Sequence, residues 1–591
     1  MSYTKPAHLT PRRSNPRSLL ERLAFAALLA CLSANASTEP PGYPVPIQSE
    51  LLDLADKAFS NSEQEGNYAA VYNVGEYALA SRVHLIRAAR KSIDIQTFIW
   101  VYDESTRYLF NEIKLAAARG IRVRLLIDHL VPFGGDSDIM AEMILVNENV
   151  EIRYFNPISS SLNNGLDVYT TKALAEFNKL NRRMHNKLFI ADGKVATLGG
   201  RNYQNRYFDW GRNFNFKDRD VVVCGPIAFQ VRDSFESYWD HEYAFAAEGF
   251  SDVQESIATR RSAPPEEINQ YSHDPDSFED VDKLANRYSL ASSVNDGQIH
   301  RADKIEYICD PPVLESRTEI DRNPGVWAPV GAVLRGAKRR IVAQSPYLVA
   351  SKRTKELVHD ILEANPNLEI HFSTNSIAAA DHPIVAAVSL KQQALQMNQL
   401  KYRIYQFKPY PESVEAFIPR YEKLVPAKEA EGDQQVAGPR SSIHAKSLVV
   451  DGKIAVVCSS NLDPRSAYLN TESALVIHCE PLARELESEI RRDMSPGNSW
   501  VVAKRKRYPL FGDINHLAAS VSESLPVLDV WPLPRTTCFE LKDGEEPVPI
   551  DHPEFYDRYR AVGNFPECED PGTVIKTMIF KAMVGWATSL M

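Results

Sequence analysis

The segment "RMHNKLFIADG", Arg183 to Gly193, sets His185, Lys187 and Asp192 in the order H-x-K-x-x-x-x-D. The run "LFIA" between the lysine and the aspartate reads as a buried strand, and alternate strand residues face the same way, so His185 and Lys187 share one face. A single copy would suit a core histidine beside a lysine that snorkels to the rim. A second copy removes that reading. "SIHAKSLVVDGKIAVVCSSNLDPRS", Ser442 to Ser466, repeats the pattern at His444, Lys446 and Asp451. Both copies then reach an asparagine seventeen residues after the histidine: Asn202 closes "VATLGGRN" and Asn461 closes "IAVVCSSN".

The repeat extends upstream, where "IRAARKSIDIQTF" (Ile86 to Phe98) aligns without gaps on "LRGAKRRIVAQSP" (Leu334 to Pro346). Each is a helix end followed by a strand. A further helix and strand come next: "STRYLFNEIKLAAARG" then "IRVRLLID" in the first copy, "TKELVHDILEANP" then "LEIHFST" in the second. Strands alternating with helices predict an α/β fold of two duplicated halves, each a mixed β-sheet flanked by helices, packed about a pseudo-twofold axis. The expected halves span residues 45–255 and 301–495. Residues 256–300, polar and proline-bearing, read as a surface linker or insertion rather than core, and 496–591 as an unrepeated extension.

With 44% hydrophobic and 24% charged residues in 591, the chain is globular and long enough for a large core. A net charge of −10 argues against a dedicated nucleic-acid binder, so no nucleic acid is expected as partner. Residues 1–36 read as an export signal: four arginines precede the apolar run Leu23 to Leu32, and small residues follow. Cleavage after Ala36, lipid attachment at Cys31 and an uncleaved anchor all stay open, and each implies an exported protein, periplasmic or membrane-associated. The seven cysteines form no C-x-x-C and read as buried apolar residues rather than metal or redox groups.

Converging halves would bring two histidines, two lysines and two asparagines to one point suited to a phosphate. The lysines supply positive charge, and the asparagine amides donate to non-bridging oxygens. One neutral imidazole can attack phosphorus while a protonated one donates to the leaving oxygen. A carboxylate accepting from the other ring nitrogen would orient each imidazole, with Asp209 and Glu472 as candidates.

The two H-x-K-x-x-x-x-D-G segments, with "GGRN" after the first and "SSNLDPRS…NTE" after the second, resemble the phospholipase D superfamily. Within it, the stretch from Ser81 to Met494 is similar to bacterial cardiolipin synthases of the class C type. The resemblance implies two phospholipase D-like halves and transfer of a phosphatidyl group through a phosphohistidine, with no metal and no cofactor. It implies His185 as nucleophile, His444 as general acid and base, Lys187, Lys446, Asn202, Ser459 and Asn461 around the phosphoryl group, and Asp209 and Glu472 behind the histidines. Asp192 and Asp451 belong to the motif, yet their place before glycine at strand ends suits a turn better than chemistry. Cys458 departs from the glycine usual there, and Gly200 stands where a serine could.

Phospholipid substrates and a bacterial membrane surface are the partners this implies; oligomeric state stays open. In the C-terminal tail, Ile575, Met578, Ile579, Ala582, Met583 and Trp586 fall at helical spacing, as in a helix lying on a membrane or packed on the protein's own core. The alternatives are a hydrolase of the same fold, acting on phospholipid or another phosphodiester, and a catalytically silent membrane scaffold.

Overall fold

The computed structural model describes residues 46–60, 66–130, 137–163, 182–262, 275–287, 298–312, 325–425, 438–505 and 536–568. The export signal and the tail helix expected above lie outside the described residues.

Each half builds the same sheet. In the first, Ser92–Thr97, Arg122–Asp128 and Val150–Phe155 run parallel. Leu188–Ala191 joins Ser92–Thr97 antiparallel, followed outward by Val195–Gly199 and Asp220–Cys224. In the second half Arg340–Gln344, Glu369–Asn375 and Tyr402–Phe407 are the parallel strands. Ser447–Val450, Ile454–Cys458 and Ser473–His478 are the antiparallel ones. The β-branched runs read from the sequence fill these central strands, buried on both faces as a helix-covered sheet requires.

The helices α1 (Gly75–Ala88) and α2 (Glu104–Ala118) flank the first sheet, and α3 (Trp327–Arg335) and α4 (Lys352–Ala364) take the same places on the second. Asp103 opens α2 with a capping box to Thr106, and Ser351 opens α4 by accepting from Thr354 N, so both helices start where a short polar side chain meets orphan N–H groups. The inner faces of the two sheets share one core, in which Leu188, Ile190 and Phe235 pack with Val342, Val449 and Leu486. A buried ion pair, Lys217 to Asp493 at 2.6 Å, also joins the halves.

Two boundaries differ from the sequence reading. The supposed surface linker returns to the core of the first half: Phe278 stacks between Tyr108 and Trp210, with centroids at 4.4 and 4.9 Å, and Val281 and Ala285 are buried. Among its described acidic residues, Asp282 meets the buried Arg87 at 2.5 Å. The C-terminal extension supplies Ser499–Lys504, Thr536–Leu541 and Tyr559–Gly563, which continue the second sheet beyond Tyr402–Phe407. No helix among the described residues is long and apolar enough to cross a membrane.

Candidate active site

The two halves meet by exchanging short segments. Arg440–Ile443 runs parallel to Phe214–Lys217, and His444 N donates to the Lys217 carbonyl at 2.8 Å. On the other side of the pseudo-twofold, Met184 bridges Thr471, and His185 N donates to the Thr471 carbonyl at 3.0 Å. Each histidine is therefore laid beside the residue that precedes a carboxylate of the other half. His185 Nδ1 stands 2.9 Å from Glu472, and His444 Nδ1 stands 2.5 Å from Asp218. A carboxylate at Nδ1 holds the hydrogen there and leaves Nε2 with the lone pair, the form a nucleophile or base needs.

The lysines complete the cluster. Lys187 Nζ donates to the His185 carbonyl at 2.6 Å, and Lys446 Nζ donates to the His444 carbonyl while lying 2.8 Å from His444 Nδ1. Burial drives His185 down to about 4 against the pull of Glu472, with Lys187 and Lys446 adding to the fall. Burial likewise lowers His444 and Lys446 and brings Lys187 down to about 7, Lys446 again contributing. The crossed backbone pairings and histidine–carboxylate contacts place the two motifs at one locus. Against the cost of burial, His444 and Lys446 hold Asp218 below the usual carboxylate range, and His185 does the same for Glu472.

A pH dependence follows. Lys187 carries its charge only below about 7, so attraction for an anionic phosphoryl group fades as pH rises through that value. The kcat/KM of the free enzyme is expected to fall on an alkaline limb near neutrality, and Lys187→Arg to displace that limb upward. A limb unmoved by the arginine would assign it elsewhere.

Asp209 does not orient a histidine. Its carboxylate accepts from Glu76 N at 3.1 Å and so caps α1, whose own N-cap residue Val74 offers no side-chain acceptor. Burial pushes it up to about 7. Asp218, which the sequence reading missed, stands behind His444 instead. Ser459 also differs from expectation: its hydroxyl hydrogen is spent on Glu472 at 2.5 Å, so it braces the carboxylate rather than a phosphate. Asn202 donates to the Tyr207 hydroxyl at 2.9 Å, and that hydroxyl lies 3.5 Å from His444 Nε2. Tyr207, in a single 3-10 turn, is a second residue with no signal in the sequence. Asn461 is held through its backbone N–H, which donates to the Ser466 hydroxyl at 3.1 Å.

Asp192 and Asp451 occupy turns, with their carboxylates on backbone N–H groups. Each has positive φ, 52° and 54°. Asp192 accepts from the backbone N–H groups of Arg90, Lys91 and Ser92, and Asp451 from those of Lys338, Arg339 and Arg340. Each carboxylate thus ties the strand that follows the histidine to the strand beside it. Asp451→Ala is expected to lower stability by about 1–3 kcal/mol, from a lost cap plus left-handed strain, measured by denaturant unfolding. The folded variant should keep kcat/KM within a few-fold of the parent. Loss of turnover in a stable variant would return Asp451 to the chemistry.

Two duplicated α/β halves with a crossed pair of histidine–carboxylate couples define a phospholipase D-type enzyme. The family model described as "Cardiolipin synthase, PLD-like domain" matches residues 83–239 and 331–494, and the chain belongs to that family. It is 31% identical over 423 residues to cardiolipin synthase C of Escherichia coli K12, covering 69% of this chain and 81% of that protein. An uncharacterized protein of Helicobacter pylori 26695 is 28% identical over 438 residues, 70% of this chain and 76% of the other. Among solved structures, phosphatidylserine synthase of Haemophilus influenzae Rd KW20 aligns with a TM-score of 0.47 and 13% identity, over 78% of this chain and 94% of that one.

Proposed function

We propose that this protein transfers a phosphatidyl group from one phospholipid to a hydroxyl of phosphatidylglycerol, forming cardiolipin. The observation that carries the reading is the crossed pairing of His185 with Glu472 and His444 with Asp218. It gives one site two oriented imidazoles, as two successive displacements at phosphorus require. In the first step His185 Nε2 attacks phosphorus, the P–O bond to the headgroup breaks, and the departing oxygen takes a proton from His444. Asp218 sustains the imidazolium that donates it. In the second step the acceptor hydroxyl gives its proton to His444, its oxygen attacks phosphorus, and the P–N bond breaks. Lys187 and Lys446 offset the charge on the non-bridging oxygens throughout. The resemblance to a cardiolipin synthase over most of both chains favours a lipid alcohol over water as acceptor. The export signal read in residues 1–36 supports a location on the exported side of a membrane for this work.

Mass spectrometry of products from purified enzyme and phosphatidylglycerol, with and without phosphatidylethanolamine, tests the proposal. Cardiolipin is the expected product. Exclusive release of phosphatidic acid at high acceptor concentration would establish a hydrolase instead.

A further inference from the structure

The second half encloses a cavity of about 410 Å³ between α3, α4 and the sheet. The first half has a packed core in the same place. The difference is written in the repeat: where the first half buries Val83, Ile95, Phe110 and Phe189, the equivalent cavity-lining residues are Gly331, Ala343, Val358 and Leu448. These four exchanges remove volume, whereas on the sheet Ile370, Phe372 and Tyr402 exceed Val123, Leu125 and Val150, their equivalents by strand register. Protein interiors close-pack, so a void of ligand size that persists despite those larger side chains marks a site.

Its chemistry is graded. Lys446, Ser460 and Asp463 form a polar part of the wall, and Lys446 is the lysine that stands against His444. The remainder combines aliphatic side chains with Trp327, Phe372 and Tyr402, and polar groups that include Arg353 and Glu356. Arg335 and Asp360 also line the cavity, are both more than half exposed and lie 3.7 Å apart, so it reaches the surface between α3 and α4. A ligand whose phosphoryl group rests at Lys446 and whose remainder is a long apolar chain satisfies both parts.

We propose that this cavity holds one fatty acyl chain of the donor phospholipid while its phosphoryl group is attacked by His185. The inference rests on the phosphatidyl-transfer reading and adds to it the part of the donor that the second half recognises. Each methylene buried there should favour binding about fourfold.

Val358→Phe restores the residue of the first half, and Gly331→Leu fills the cavity from α3, where an added Cβ meets nothing nearer than Leu357 Cδ2 at 3.5 Å. Headgroup release from dioleoyl- and dibutyryl-phosphatidylglycerol is measured for both variants. The expected result is at least a tenfold loss of kcat/KM on the long-chain donor, with the short-chain donor turned over as by the parent. Equal loss on both donors, or no loss on either, overturns the proposal. Binding is read separately in the His185→Ala chain, where bromine on the acyl chain of phosphatidylglycerol should quench the fluorescence of Trp327 in the cavity wall. Val358→Phe or Trp327→Phe should abolish that quenching. Quenching without turnover of any phospholipid by the parent would sink the transfer reading and keep the chain site. Turnover without quenching would sink the chain site alone.

Discussion

His185→Ala is expected to form no covalent phosphatidyl-enzyme and to lose turnover entirely, because the attacking nitrogen is gone and no other imidazole is held with Nε2 free at the first-half motif. His444→Ala should behave differently. It loses the proton donor for the leaving oxygen, so a natural headgroup departs extremely slowly, but a p-nitrophenyl leaving group needs no proton and should still load His185. Acid-quenched labelling followed by peptide mapping distinguishes the two. A label trapped on His444 in the His185→Ala chain would reverse the roles of the histidines.

The second large effect concerns the carboxylates. Glu472→Gln leaves the shape of the site but presents an amide that can hold His185 in the wrong tautomer, and a loss of roughly ten-thousand-fold is the scale for such a change behind a catalytic histidine. Asp218→Asn should do the same to His444. Because the couples are crossed, each substitution in one half disables the histidine of the other, and the double variant should be little worse than either single one. Additive losses would mean that the two couples work independently. Circular dichroism with unchanged unfolding midpoints separates this outcome from misfolding.

Much of the site was legible because the motif occurs twice. His185, Lys187, His444 and Lys446 stand out through their repeated spacing, although they precede the strands Leu188–Ala191 and Ser447–Val450 rather than lying on them, and Glu472 follows closely after Asn461. Asp218 was hidden by an unequal interval: more residues separate it from Asn202 than separate Glu472 from Asn461, and Asp209 fell nearer the matching place. Only the exchange of segments between halves, a long-range pairing, reveals which aspartate reaches a histidine. Asp282 looked solvated because charge alone does not say that Arg87 waits, buried, to receive it. The cavity was invisible for another reason. Phe189 and Leu448 are equivalent in polarity, and hydrophobic patterning records apolar character but not volume.

The crossed contacts have the form of an isologous interface, in which each of two like partners gives and receives the same group. A pair of separate halves could assemble such a site only at a concentration that favours pairing, whereas one chain carries its own effective concentration. Fusion also releases a constraint. Two identical subunits must brace both carboxylates alike, but here Ser459 donates to Glu472, while at the matching Gly200 a Cβ would meet Asp218 Oδ1 at 2.1 Å. One polypeptide can therefore hand its two histidines unequal surroundings, and unequal surroundings are what separate an attacker from a proton carrier.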